Sequence, residues 1–294
     1  MTTIASHRPR PVTPVTPVAL VAGASRGIGA DTARAFARAG YAVVLGARDA
    51  EALSSVVEDI EAHGGRAVAA KTDVGDVDSM RSLVDRAVDS FGRLDAAFNN
   101  ATDGPMPSPL ADIDPDEFDI GIRTNVKGTF VGMKFEIPAM LASGGGAIVN
   151  MASVAGVRAT ANLAAYVAGK AGIIALTETA ALDYADRGIR VNVVAPGPIL
   201  THHLARAGDE AQRMAAASVP MGRVGTTQDV ADAVLWLCSA QSSYITGVTL
   251  PIDGGQLAGN KPPQMYRQGE GMSPTRGATA TTDLGPIPAE RRTP

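Results

Sequence analysis

The sequence predicts an α/β fold: a single doubly wound parallel sheet of about seven strands with helices on both faces. Two observations carry that expectation. Short β-branched runs alternate with longer Ala-rich segments of helical period, repeating at about thirty residues, the length of a strand–helix–strand unit. The strand segments are apolar throughout, without in/out alternation, as strands covered by helices on both faces require.

In chain order, strands are expected at 18–22, 42–45, 67–71, 94–98, 147–151, 190–194 and 249–252. The intervening helices are expected at 28–39, 50–63, 77–90, 118–141, 161–185 and 227–237. Gly40, Gly64, Gly92 and Gly188 follow helices where a left-handed residue closes the last turn. Residues 102–117 and 196–225 break the rhythm. Both follow strands and so emerge at the carboxyl edge of the sheet, where open α/β sheets bind ligands, which makes them candidate substrate loops. The second carries His202, His203, Arg206, Asp209, Glu210 and Arg213 among small apolar residues and reads as a short amphipathic lid, with His202 and His203 able to touch a substrate.

The 294 residues are 45% hydrophobic and 19% charged, enough apolar material for a globular core. Proline-rich ends at 1–17 and 257–294 carry ten of the 19 prolines and only three of the 30 acids, and are expected to be disordered tails. The core at 18–256 then holds 19 basic and 27 acidic residues, a net charge of −8, which argues against nucleic acid or anionic lipid as a partner. No stretch approaches the ~18 apolar residues of a membrane helix, and the apolar run after Val18 is too short and too Pro-flanked for a signal peptide. The lone Cys238 lies in an apolar run and reads as a core thiol, consistent with a cytoplasmic protein. No metal-ligand spacing is evident.

Gly23-Ala24-Ser25-Arg26-Gly27-Ile28-Gly29 follows the first strand and opens the first helix. Glycines there permit a tight turn and close backbone approach to a pyrophosphate set against the positive end of the helix. Tyr166 and Lys170 fall four residues apart in a helical segment and share a face. An ammonium near a tyrosine stabilises phenolate and brings its pKa toward neutrality, as a general acid/base needs. Ser153 stands just past the fifth strand, 13 residues before Tyr166.

The Gly-x-x-x-Gly-x-Gly spacing, followed by this serine, tyrosine and lysine in order, resembles the short-chain dehydrogenase/reductase family of the classical type. The resemblance spans residues 18–256 and implies a Rossmann-type nucleotide-binding domain. It implies that Gly23, Ser25, Arg26, Gly27, Ile28 and Gly29 hold the cofactor phosphates, with Ala22 where the family usually has Thr. At the end of the second strand, Ala47 occupies the place of the acid in NAD-dependent members and Arg48 follows it. With Arg26 supplying a second guanidinium, NADP(H) is expected in preference to NAD(H). Asp73 and Val74 resemble the adenine-contacting pair, and Asn99-Asn100-Ala101 the segment beside the nicotinamide ribose, with Thr102 in place of the family's Gly. Asn125 matches the helix asparagine of the proton relay. Ser153 would orient the substrate oxygen, Tyr166 would transfer the proton, and Lys170 would hold the ribose and lower the tyrosine pKa. Pro196, Gly197, Ile199 and Thr201 resemble the segment that fixes the carboxamide.

These residues imply interconversion of a carbonyl and a secondary alcohol by hydride transfer. A reductase for acyl groups on a carrier protein is an alternative, weakened because residues 138–148 hold no basic residue and Leu182 is apolar. A non-catalytic NADP(H) sensor is a third reading, opposed by the complete set of Asn125, Ser153, Tyr166 and Lys170. The helices at 118–141 and 161–185 are more apolar than one buried stripe needs, so a homodimer or homotetramer is expected.

Overall fold

The computed structural model describes residues 15–259, so the two tails expected from composition lie outside it except for three residues at each inner end. Those inner residues are tied to the domain: Ala42 N–H donates to Pro17 O, and Leu257 N–H to Asp253 Oδ2.

The chain alternates as expected through β1 (Val18–Ala22), α1 (Gly27–Arg38), β2 (Ala42–Ala47), α2 (Ala50–Ala62), β3 (Arg66–Lys71), α3 (Val77–Phe91) and β4 (Ala96–Asn99). A break then comes where one long helix was expected at 118–141. Helix α4 (Pro115–Ile122) begins earlier, with Asp114 as its cap and Pro115 in its first turn. A π turn over Arg123–Lys127 follows, and then α5 (Gly128–Ala142). Next come β5 (Gly146–Met151), the four-residue α6 (Val154–Val157), α7 (Ala164–Tyr184) and β6 (Ile189–Pro196). The expected lid is two short helices, α8 (His202–Arg206) and α9 (Gly208–Ala217), before α10 (Thr227–Cys238) and β7 (Thr249–Ile252).

All seven strands pair in parallel in the order β3-β2-β1-β4-β5-β6-β7. The order reverses at β1, whose neighbours are β2 and β4, and this opens a crevice above the carboxyl end of β1. Strands β1, β2 and β4 are wholly buried, whereas the edges β3 and β7 are partly exposed. Pro251, which has no N–H to give a ladder, sits on the edge strand β7, where that costs nothing.

An apolar layer fills each face of the sheet. Phe36, Leu53, Phe98, Val149 and Leu237 lie in one, and Leu20, Val44, Leu83, Met140 and Ile148 in the other. The alternation along β1 explains the division: Ala19 and Val21 face one layer, Val18 and Leu20 the other. Cys238 is buried in the first layer, and burial pushes its thiol up to about 12, so it is inert packing. Gly40, Gly64, Gly92 and Gly188 all adopt positive φ after helices, as their positions predict.

Candidate active site

A cavity of about 590 Å³ runs across the carboxyl ends of β1, β2, β4, β5 and β6. Its floor is the turn between β1 and α1. Gly23 N–H and Ala24 N–H both donate to Gly46 O, and Asn100 Nδ2 donates to Gly23 O, which ties the turn to both flanking strands. Gly23 has φ +87°, and a Cβ there would lie 2.6 Å from Ala101 N. Gly29 packs on the Gly23 carbonyl so closely that no side chain fits. Arg26 precedes α1 without making a side-chain cap, in contrast to Asp49, Asp76 and Asp114, which cap α2, α3 and α4. The first N–H groups of α1 therefore face the cavity free of any such cap, which suits a phosphate.

Sixteen of the expected site residues line this cavity: Gly23, Ser25, Arg26, Gly27, Ile28, Arg48, Asp73, Val74, Ala101, Ser153, Tyr166, Lys170, Pro196, Gly197, Ile199 and Thr201. Three do not. Gly29 lies beneath the turn. Asn99 belongs to the buried layer: its Nδ2 donates to Glu136 Oε2 at 3.0 Å and to Asn150 Oδ1 at 2.9 Å, and Asn100 takes its place at the wall. Asn125 is also fully buried. Its Nδ2 donates to Gly121 O and Asp103 O, and its Oδ1 accepts from Thr102 Oγ1 at 2.8 Å. Thr102, the departure from the family's Gly, thus has a defined role, and it needs no positive φ. Cavity residues beyond the expected set include Asp49 and Asp103, while His202 and His203 line it as the lid reading anticipated.

At the other end of the cavity, Ser153 caps α6 and α7 carries Tyr166 and Lys170. Close helix packing places them. A Cβ on Gly169 would lie 2.9 Å from Asn125 Cβ, and one on Gly156 would lie 2.7 Å from the Lys170 carbonyl carbon. Lys170 Nζ donates to Met151 O at 2.9 Å and lies 5.6 Å from the Tyr166 ring centroid. Burial lowers the Lys170 ammonium to about 7. Burial raises the Tyr166 phenol above its usual value, and a hydrogen bond with Ser153 lowers it in part. Desolvation is thus the largest influence on Tyr166 and Ser153 the group that lowers it, while Lys170, which the sequence suggests in that role, lies over the ring and donates to the Met151 carbonyl.

Each charged residue at the opposite end has a partner. Arg26 pairs with Asp49 at 3.2 Å, Arg48 with Asp103 at 3.1 Å and Arg123 with Asp73 at 3.3 Å. Asp73 also accepts from Gly75 N–H, the main reason its carboxyl is held below the usual range.

An uncapped helix start beside a glycine cradle, with a tyrosine, a lysine and a serine converging at the far end, defines a dinucleotide-dependent oxidoreductase. Residues 23–256 match a family model described as enoyl-(acyl carrier protein) reductase. An A-factor type gamma-butyrolactone 1'-reductase of Streptomyces virginiae is 41% identical over 242 residues, covering 81% of this chain and 94% of the relative. A cyclohexanol dehydrogenase of Acinetobacter sp. is 41% identical over 237 residues, covering 81% and 93%. The structure of a short-chain type dehydrogenase/reductase from Mycobacterium ulcerans superposes with a TM-score of 0.79 at 29% identity, covering 82% of this chain and 90% of that one. The chain belongs to the short-chain dehydrogenase/reductase family and is an oxidoreductase. Among the described residues, no helix is long and apolar enough to cross a membrane.

Proposed function

We propose that this chain interconverts a free ketone and a secondary alcohol with NADP(H), NAD(H) being the poorer cofactor. The observation that carries this reading is the convergence of Ser153, Tyr166 and Lys170 on one end of a cavity whose other end holds Arg26 and Arg48. The nicotinamide, when bound, supplies or accepts the hydride. Gly23, Ser25, Gly27 and Ile28 would hold the phosphates, Asp73 and Val74 the adenine, and Ala101, Pro196, Gly197, Ile199 and Thr201 the nicotinamide half.

In the reducing direction Tyr166 donates its phenolic proton to the carbonyl oxygen. Ser153, which lines the cavity beside Tyr166 and lowers its phenol in part, orients that oxygen. Lys170, whose Nζ lies 5.6 Å from the Tyr166 ring centroid, would hold a ribose hydroxyl of the bound cofactor. Asn125 acts from behind the wall, fixing the turn that backs Gly169 between the tyrosine and the lysine. Alcohol oxidation reverses each transfer.

Small cyclic alcohols and ketones are the preferred substrates, a reading supported by the name of the cyclohexanol dehydrogenase. The family model's description favours a carrier-bound acyl group instead. Against that stands the acidic core, net −8 over 18–256, which is unsuited to an acidic carrier; residues 138–148 and Leu182 lie toward the amino ends of β5 and β6, away from the cavity, and do not bear on the choice. Leu182 and Phe130, exposed on α7 and α5, suit contacts in a homodimer or homotetramer, which light scattering at micromolar concentration would test. A buried single thiol fits a cytoplasmic setting.

The deciding experiment follows nicotinamide absorbance across a panel of ketones and alcohols with all four cofactor forms. Turnover of cyclic ketones with NADPH is the expected result. Strong preference for NADH would overturn the cofactor reading. Cofactor binding without turnover of any carbonyl would favour a sensor.

A further inference from the structure

Arg48 follows β2 and Asp103 follows β4, the two strands that flank β1, so their ion pair spans the end of β1 and the mouth of the crevice. Both residues line the cavity, and their side chains are 64% and 33% exposed. The Asp103 carboxylate has two polar contacts: Oδ1 accepts from Gly104 N–H at 3.0 Å, and Oδ2 takes Arg48. Its backbone is held from behind by Asn125, whose Nδ2 donates to Asp103 O at 2.7 Å, while Thr102 Oγ1 donates to Asn125 Oδ1. The other acids nearby have cations of their own, Asp49 with Arg26 and Asp73 with Arg123, although Arg48 also acts on Asp73 at longer range.

We propose that Asp103 is a specificity-determining residue for the cofactor: its carboxylate competes with the 2′-phosphate for Arg48 and so sets how strongly the chain separates NADP(H) from NAD(H). The proposal rests on the reading of Arg48 as the 2′-phosphate residue. A guanidinium fork exchanges one anionic oxygen acceptor for another, and a phosphate can displace a carboxylate from it. A ribose hydroxyl cannot. NADP(H) therefore breaks the Arg48 to Asp103 pair, whereas NAD(H) leaves it in place. Asp103 also repels the pyrophosphate common to both cofactors, which cancels in the ratio of the two affinities, and the 2′-phosphate itself, which the Arg48→Gln background measures separately.

The test is fluorescence titration of NADPH and NADH into the full chain and into Asp103→Asn, Asp103→Ser, Arg48→Gln and the Arg48→Gln/Asp103→Asn double variant. Asn and Ser both keep an acceptor for Gly104 N–H. The expected result is a preference for NADPH that rises about two- to fivefold in both Asp103 variants, the scale of an exposed ion pair. That increment should shrink when Arg48 is already Gln, the part that is lost being the competition; an undiminished increment in that background would mean direct repulsion alone and would overturn the proposal. If both Asp103 variants keep the original preference while Arg48→Gln collapses it, the proposal fails and the NADP(H) reading stands. If Arg48→Gln leaves a preference for NADPH unchanged, the assignment of the 2′-phosphate to Arg48 fails and the proposal falls with it, whereas a full chain that prefers NADH overturns the NADP(H) reading itself.

Discussion

At the end of the cavity bounded by β1, β2 and β3, Arg26, Arg48 and Asp73 are positioned by ion pairs between partly exposed side chains. At the end bounded by β5 and α7, position comes from burial: Lys170, Asn125 and Asn150 are almost wholly enclosed, and glycines let the backbones close on them. Exposed ion pairs contribute up to about 1 kcal/mol each and are screened by salt. A displaced buried group costs several times more. The same cavity therefore has one end that a single charge can retune and another that a single methyl can disable.

The largest expected effect lies at the buried end. Tyr166→Phe should lower turnover about 10²- to 10⁴-fold in an absorbance assay while NADPH binding, followed by fluorescence, persists. Loss of binding and turnover together would mean that the phenol is structural.

Glu136→Gln probes the layer beneath. Glu136 is fully buried, its Oε2 accepts from Asn99, its Oε1 has no partner among the described residues, and burial raises its carboxyl to about 7. The folded chain thus keeps a proton that the unfolded chain releases near 4.5, so this residue's contribution to stability is present below that value and lost as pH rises through 7. Gln retains the acceptor for Asn99 and cannot ionise. Urea unfolding at acid and alkaline pH should show the variant gaining up to about 3 kcal/mol over wild type above neutrality. Equal stability at both would place a second proton donor on Oε1.

Gly169→Ala would press a methyl against Asn125 Cβ, 2.9 Å away, costing about 1–3 kcal/mol in thermal unfolding and lowering kcat. The smallest effect belongs to the exposed end. Arg26→Gln should weaken NADPH binding less than about fivefold, and by less again at about 0.5 M salt. A larger, salt-insensitive loss would show that Arg26 acts as a buried group and would erase the contrast between the two ends.

The strands were legible because β-branched apolar runs have no other use in so regular an alternation, and β1 and β7 fall on their expected residues. The tyrosine, lysine and serine were legible because their spacing is local. What escaped the sequence depends on partners distant in the chain. Nothing near Arg48 announces Asp103, 55 positions later. Asn99 sits beside a cofactor segment, yet its side chain points to Glu136, because β4 alternates faces and residue 100 takes the crevice side. The single helix expected at 118–141 failed for a subtler reason: its residues are helical throughout, and only the hydrogen-bond register changes at 123–127.

That change of register has a consequence of its own. A π turn accommodates a residue more than an α turn, so everything after it is rotated by ~100° about the rod. Before it, Gly121 abuts Ala165 of α7; after it, Gly128 abuts Val74 beyond β3. One continuous rod thereby serves two neighbours set at different azimuths, and Asn125 stands at the joint. Deleting Val126 would remove none of the residues proposed for the reaction or the cofactor, yet it would bring the two halves into phase and turn α5 away from the sheet it covers.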